Sequence, residues 1–115
     1  MGPERKQGEK IMATIISSQN YTDEDIVARK IEDEDFVVML SPEFEYDGRI
    51  FQVVLDGHHS YAAAIEAGVE PEFFTATAQD CDYIGYLANG DIESFLDNAH
   101  LGNDWYDIST GNTIW

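Results

Sequence analysis

Four short apolar runs, each bounded by polar or glycine residues, predict the strands of a small sheet. The strongest runs are 36–40, Phe-Val-Val-Met-Leu, and 50–55, Ile-Phe-Gln-Val-Val-Leu. The near-continuous apolar character of 36–40 predicts a strand that is buried on both faces. Asp-Gly at 47–48 is a turn signal, so the two runs are predicted to form a hairpin with a wide loop. Shorter strands are predicted over 13–16 and 73–77.

Helical patterns alternate with these strands. Thr22 is the expected N-cap of a helix over 22–31, because Asp25 follows three residues later as in a capping box. A second helix is predicted over 59–67, where Gly68 supplies the left-handed residue that ends many helices. Two shorter helices are predicted further on: one capped by Asp80 with Tyr83, Ile84, Tyr86 and Leu87, and one capped by Asp91 with Ile92, Phe95, Leu96 and Ala99 on one face.

This order of elements predicts an α/β or α+β fold, a small mixed sheet flanked by helices. A chain of 115 residues has the length of one domain, which we assign to residues 12–115 with a helical and aromatic C-terminal extension. The extension has a candidate strand at 105–108. Its aromatic side chains are expected to dock on the core of the domain, the alternative being a partner-binding patch. Residues 1–11 are predicted to be a disordered leader or a tag remnant.

The chain is strongly acidic, which limits the classes of partner that it is expected to bind. It has 23 Asp and Glu against 6 Lys and Arg, a formal net charge of −17, and only Arg29, Lys30 and Arg49 follow the first ten residues. Nucleic-acid binding needs several cations to neutralise phosphates, so neither direct binding of duplex DNA nor binding to an anionic membrane is expected. The acidic excess serves either solubility, including at high salt, or docking on a basic protein.

Cysteine content and hydropathy predict a cytoplasmic protein. Cys81 is the single cysteine, so an intrachain disulfide is excluded. The flanking Asp80 and Asp82 disfavour its thiolate, and a structural role is expected. No apolar run approaches the ~20 residues that a membrane span needs, and the polar N-terminus lacks the apolar segment of a signal peptide.

The segment 53–64, Val-Val-Leu-Asp-Gly-His-His-Ser-Tyr-Ala-Ala-Ala, carries the candidate chemistry. It predicts a strand, a tight turn at Asp56 and Gly57, and then a helix. The first N–H groups of a helix have no intrahelical partner and the dipole is positive there, so this end attracts anions. Gly57 lacks a Cβ, so the backbone there can approach a ligand closely or adopt a positive φ. Asp56 is expected either to cap the helix or to bind a metal.

His58 and His59 are the candidate catalytic residues. Adjacent residues do not share a helix face, so one imidazole is expected to point into the site and the other along the helix. Imidazoles bind phosphate, transfer protons or hold metals, although this pair lacks the spacing of zinc enzymes. The structural alternative is that one ring hydrogen-bonds a backbone carbonyl while the other faces solvent. Ser60 adds a hydroxyl, but not within the Gly-x-Ser-x-Gly pattern of a nucleophile.

Residues 54–64, followed by Ala67-Gly68 and Pro71, resemble the signature of the ParB/sulfiredoxin-like superfamily. Members commonly have a strand, an Asp-Gly-x-His-Arg motif or a variant of it, an Ala-rich helix ending in Ala-Gly, and another strand. The resemblance covers about residues 36–78. It implies a ParB/sulfiredoxin-like domain whose turn holds nucleotide phosphates, and some members are described as nucleases.

The resemblance also implies roles for individual residues. Gly57 would be the phosphate-loop glycine and His59 the phosphate-contacting histidine. His58 falls where sulfiredoxins have a reactive cysteine, so sulfinic-acid reductase chemistry is not expected. Ser60 falls where the family usually has arginine, whose rigid fork fits phosphate oxygens. A triphosphate would then need a divalent metal such as Mg²⁺, for which Asp56 and the two histidines are the candidate ligands.

Two functions are therefore expected. The first is a ParB-like domain that binds a nucleotide or another phosphate-bearing ligand through residues 56–60, with hydrolase or phosphotransfer activity as an option and His58 or His59 as acid or base. The second is a non-catalytic acidic protein that binds a basic protein as inhibitor, regulator or nucleic-acid mimic. One continuous acidic face would favour the second function, whereas an even spread of carboxylates would not.

Overall fold

The chain forms a six-stranded mixed sheet with helices on both faces. The structure is a computed structural model that describes residues 13–19 and 21–115. The strands are β1 (Thr14–Ser17), β2 (Val37–Leu40), β3 (Phe44–Tyr46), β4 (Arg49–Asp56), β5 (Glu72–Thr75) and β6 (Tyr106–Asp107). The helices are α1 (Glu24–Glu32), α2 (His58–Ala67), α3 (Gly85–Ala88) and α4 (Ile92–Ala99), with a 3₁₀ turn at Asp82–Ile84. The predicted mixed α/β class is confirmed. The predicted leader at 1–11 lies outside the described residues.

The order of strands brings two carboxyl ends together. The sheet runs β5-β2-β4-β1-β6, and β3 also pairs with β4. Strand β4 is parallel to β1 and antiparallel to β2 and β3. Strand β5 is parallel to β2, and β6 is antiparallel to β1. Because β1 and β4 are parallel, Ser17 at the end of β1 lies near the residues that follow β4.

The hairpin between β3 and β4 closes on a two-residue turn. Asp47 and Gly48 have φ values of 53° and 78°, which type I′ hairpin turns require, and Tyr46 pairs with Arg49. The predicted wide loop is therefore wrong. After an interruption at Ser41, β3 continues the line of β2 along β4 as far as this turn.

Two apolar clusters cover opposite faces of the sheet, because successive side chains of a strand alternate between its faces. On the α4 face, Phe51 and Phe95 are fully buried. On the α2 face, Val38 and Val54 are buried and Tyr61 packs against them. The prediction that 36–40 is buried on both faces is only partly right, since Val37 is 41% exposed.

Helix boundaries agree with the predictions at some ends and differ at others. Gly68 ends α2 with a φ of 74°, and Asp91 caps α4, as predicted. The cap of α1 is Asp23 rather than Thr22, because the Asp23 carboxylate accepts from the first-turn N–H groups. Asp80 caps no helix, since its carboxylate accepts from the N–H and hydroxyl of Thr77.

The C-terminal extension docks on the core, as expected. Trp105 is 9% exposed, and the ring centroid of Trp115 lies 5.0 Å from that of Phe51. Strand β6 falls within the candidate strand at 105–108 and is shorter than it. Cys81 is half-buried against the α4-face cluster, which agrees with its expected structural role.

Among the described helices, none combines the length and the apolar character required to cross a bilayer.

Candidate functional site

The turn between β4 and α2 depends on Gly57. Its φ is 98° and its ψ is 21°, a conformation that L side chains rarely adopt. A Cβ at this position would lie 2.6 Å from the carbonyl oxygen of Val37 and 2.9 Å from the Cα of Val38, well inside the optimal separation of non-bonded atoms. The positive φ expected for Gly57 is thus present, and the backbone at this position packs closely against strand β2.

Asp56 does not cap α2. Its Oδ1 accepts a hydrogen bond from the Gly57 N–H at 2.8 Å, and Gly57, which occupies the cap position, provides no side-chain bond. The capping interpretation is therefore wrong, because the Asp56 carboxylate is engaged by the neighbouring residue. Within the described chain, no side chain accepts from the first-turn N–H groups of α2, so this helix start keeps unpaired donors.

His58 bonds to the end of β1. Its Nε2 lies 2.6 Å from the Oγ of Ser17, which is fully buried. The Gln19 N–H donates to the same Oγ at 3.0 Å, so the serine O–H is free to donate to Nε2 in the tautomer that carries its proton on Nδ1. Burial lowers the pKa of His58 below its ordinary value of 6.5, the Asp56 carboxylate opposes this shift, and His59 adds to it. Burial therefore favours the neutral form of the imidazole.

We expect His58 to titrate below pH 6.5 in the folded chain, because burial disfavours the imidazolium. Below pH 6.5 the unfolded state then binds more protons at this residue than the folded state does. The contribution of His58 to stability is full above that pH and is lost as the pH falls towards the folded-state pKa. The titration is followed by NMR of the ring protons.

Urea unfolding provides the matching stability test. The difference in unfolding free energy between the parent chain and His58→Gln should shrink as the pH is lowered from about 7 to about 5. Glutamine keeps a hydrogen-bonding group but does not titrate. A ring midpoint at or above 6.5 would contradict the prediction.

His59 and Ser60 bond to other parts of the protein. The Nε2 of His59 accepts from the Asp23 N–H at 3.1 Å, which ties α2 to the start of α1. Ser60 is 2% exposed, and its hydroxyl donates to Oδ1 of Asp35 at 3.3 Å. Lys30 pairs with Asp35 at 2.9 Å, and this hydrogen-bonded contact lowers the pKa of Asp35. The side chain of Ser60 thus points towards the segment between α1 and β2.

The structural alternative for the two histidines also needs correction. It expected one ring on a backbone carbonyl and the other in solvent. Both rings are half-buried; His59 accepts from a backbone N–H, and His58 bonds to a serine hydroxyl.

A cavity of about 390 Å³ lies beside His58, between α2 and the sheet. Its apolar and aromatic wall consists of Val54, Tyr61, Ala62, Ile65 and Ile108, and its polar groups come from Gln19, Thr22, His58, Glu66 and Tyr106. Of the five predicted site residues at 56–60, His58 alone lines this cavity. We call it the His58 cavity.

The sequence did not identify the other residues that line the His58 cavity, although the spacing of some of them along α2 was a usable signal. Tyr61 and Ile65 follow His58 by three and seven residues, a spacing that places all three on one face of a helix. Tyr106 and Ile108 gave no local signal, because they reach the cavity through the pairing of β6 with β1.

The predicted metal ligands are not brought together. Among the described residues, no group of three or more His, Cys, Asp and Glu side chains is arranged to hold a metal ion. His58 bonds to Ser17 in β1 and His59 bonds at the start of α1, so these rings do not converge with Asp56.

Comparison with known proteins gives no relative for this chain. No protein-family model matches it, and neither a curated protein nor a solved structure does. The resemblance to the ParB/sulfiredoxin-like superfamily therefore stays a prediction, and the site is interpreted from its own residues.

Proposed function

We propose that the chain binds a small phosphate-bearing ligand, such as a nucleotide, at the start of α2. The phosphate lies at the N-terminal end of the helix, and the less polar part of the ligand fills the His58 cavity. One observation carries this proposal: His58 is both the first residue of a helix without a side-chain cap and part of the wall of a cavity of about 390 Å³. Helix starts attract phosphate, and cavities of this size hold small molecules.

The composition of the cavity wall favours a ligand with a flat or apolar part. Tyr61 packs on the α2-face cluster and its hydroxyl donates to the carbonyl oxygen of Ile108 at 3.3 Å. Tyr106 donates to the carbonyl oxygen of Gln19. Both aromatic rings are thus fixed by hydrogen bonds, which favours a preformed site over one that must be ordered by its ligand.

Charge limits the number of phosphates. Glu66 lines the cavity, whereas Arg29, Lys30 and Arg49 do not. Each additional phosphate would bring an anion to an acidic domain in which no Lys or Arg among the described residues lines the cavity. A single phosphate is therefore the preferred ligand, and a di- or triphosphate would be expected to bring Mg²⁺ with it, since Mg²⁺ is commonly held by one or two carboxylates and substrate phosphates.

The order of elements agrees with the proposal. Strand β4, the Gly57 turn, α2 and β5 follow one another in the order that the superfamily resemblance implies. Hydrolysis or phosphoryl transfer at this site would need a general acid or base, and His58 is the imidazole that lines the cavity. His59 is engaged by the Asp23 N–H and has no part in this proposal.

The binding test is an NMR titration of the ¹⁵N-labelled chain with AMP, CMP, GMP and the corresponding triphosphates, with and without Mg²⁺. We expect saturable amide shifts at residues 57–60 together with shifts at Tyr61 and Ile65. Ile65→Trp should weaken binding about tenfold, because the larger side chain fills the cavity from an exposed position, at 58% exposure, and a tenfold loss equals about 1.4 kcal/mol.

The matched control is Leu101→Trp, which places the same side chain at another exposed position, at 49% exposure, outside the cavity. It should leave binding unchanged. No shift at millimolar nucleotide, or equal weakening by both variants, would refute the proposal. Release of inorganic phosphate from a bound triphosphate, lost in His58→Gln, would add a hydrolase activity.

The second candidate function is a non-catalytic domain that binds a basic protein. Exposed carboxylates occur on both helical layers of the described chain, including Glu24, Asp25 and Glu32 in α1 and Glu93 and Asp97 in α4. This spread does not favour a single-faced mimic of nucleic acid. A separate groove with three carboxylates nevertheless favours basic partners, and it is treated in the next subsection.

A cytoplasmic location belongs to the same proposal. Its support is the cysteine content of the sequence, which is a single residue. A fusion to a fluorescent protein, imaged in cells, would test it.

A further inference from the structure

We propose that an open groove on the α4 face of the sheet binds a lysine or arginine side chain from a basic segment of a partner protein. The groove has a volume of about 640 Å³ and is lined by Tyr46, Asp47, Glu93, Leu96, Asp97, Trp105 and Trp115. We call it the acidic aromatic groove. It lies across the sheet from the His58 cavity, so it goes beyond the nucleotide proposal and does not depend on it.

Three carboxylates make the groove anionic. Asp47 belongs to the hairpin turn between β3 and β4, while Glu93 and Asp97 lie four residues apart and therefore on one face of α4. Within residues 13–19 and 21–115, none of the three has an ion-pair partner; the ion pair found there joins Lys30 and Asp35. Like charges at this helical spacing repel one another, and a bound cation would relieve the repulsion.

Aromatic rings supply a second and independent attraction for a cation. The rings of Tyr46 and Trp115 meet at 82° with centroids 5.4 Å apart, so they form two walls at nearly a right angle. Cations bind over the faces of such rings, and tryptophan is the best of them. The ring centroid of Phe51 lies 5.0 Å from that of Trp115. The guanidinium carbon of Arg49 lies over the Phe51 ring, 5.1 Å from its centroid.

Trp105 adds an indole N–H for which the described residues supply no acceptor. The residue is 9% exposed and lines the groove, and its indole N–H finds no acceptor within the described part of the chain. A buried tryptophan N–H usually has a hydrogen-bond partner. A peptide that lies in the groove brings backbone carbonyl oxygens, which are suitable acceptors for this N–H.

These features favour a basic peptide over a metal ion. The three carboxylates belong to no group that could hold a metal among the described residues, and a hydrated ion gains little from aromatic walls. A long cationic side chain offers both an apolar stem for the rings and a charged head for the carboxylates. The groove exceeds the volume of one side chain, which leaves room for the neighbouring peptide backbone.

Intrinsic fluorescence gives a direct test, because the chain has two tryptophans and both line the groove. The probe is a ten-residue peptide with alternating Lys and Gly, and its control has Gln in place of Lys. At low salt we expect a saturable change in tryptophan emission with the lysine peptide, weakened by added salt, and no change with the glutamine peptide.

Matched charge variants separate a specific site from general attraction. Glu93→Gln with Asp97→Asn should weaken binding at least fivefold. Glu70→Gln with Asp33→Asn removes the same charge from exposed positions outside the groove and should change binding less than twofold. All four side chains are exposed, so the fold is expected to persist, as circular dichroism would verify.

Three outcomes would overturn the proposal. The first is the absence of any emission change at millimolar peptide. The second is equal weakening by the two double variants, which would indicate only long-range attraction to an acidic protein. The third is binding that persists at full strength in Trp115→Leu, measured through the emission of Trp105. None of these outcomes bears on the nucleotide titration of the His58 cavity.

Discussion

Replacing Gly57 with alanine is expected to lower the free energy of unfolding by about 2–4 kcal/mol. The added Cβ would lie 2.6 Å from the carbonyl oxygen of Val37, and overpacking of this kind costs about 1–3 kcal/mol. A left-handed backbone adds about 1 kcal/mol for a residue with a side chain. The clash is with strand backbone, which cannot rotate away as a flexible side chain would. Urea denaturation of the two chains measures the difference.

Gly68→Ala is the matched control. Gly68 also has a left-handed backbone, with a φ of 74°, but a Cβ there meets nothing within 4 Å. The free energy of unfolding of Gly68→Ala should therefore fall only by the conformational cost of about 1 kcal/mol. Equal losses in the two variants would mean that the Gly57 turn does not pack on β2 as described.

Phe95→Ala is expected to cost about 3–5 kcal/mol, the range for removing a buried phenylalanine ring. Phe95 is 0% exposed, and its ring centroid lies 5.6 Å from those of Phe44 and Tyr83. It joins α4 to β3 and to the 3₁₀ turn, so the cavity left behind would be bounded by three separate elements. Urea denaturation again provides the measurement.

Phe74→Ala is the control for the ring deletion. Phe74 lies in β5 and is 44% exposed, so its replacement should cost about 1 kcal/mol, in proportion to the smaller area that it buries. A cost at Phe95 that is no greater than the cost at Phe74 would be inconsistent with the packing of α4 on the sheet.

Local patterns were sufficient to predict the elements that flank the site. The apolar run before Asp56, the alanines of α2 and the terminating Gly68 are signals that depend on neighbours in sequence. The predicted strand and helix therefore begin and end within one residue of β4 and α2. Asp91 capped its helix as predicted for the same reason.

Where tertiary contacts decide, the sequence was insufficient. Asp56 has a good side chain for an N-cap, yet it bonds to the adjacent Gly57 N–H. Whether Thr22 or Asp23 caps α1 depends on where the chain enters the helix, and both residue types are common caps. The prediction of a wide hairpin loop was wrong because, in the sequence, the interruption at Ser41 resembles the end of a strand.

The structure places one of the five predicted site residues, His58, in the wall of a cavity, and the site itself stays a prediction. His58 lines the cavity, whereas Ser60 bonds to Asp35, which lies 25 residues earlier. Ser17 meets His58 across 41 residues. The contact between Ser17 and His58 follows from the parallel pairing of β1 with β4, which no local pattern encodes.

The two cavities share a border at Trp105 and Tyr106. Trp105, which immediately precedes strand β6, lines the acidic aromatic groove, while Tyr106 in β6 lines the His58 cavity. The same two-residue strand, held by β1 at one edge, is thus a common border. If a ligand in one cavity displaced this border, it would change the affinity of the other cavity, and thermodynamic reciprocity would require both affinities to change by the same factor.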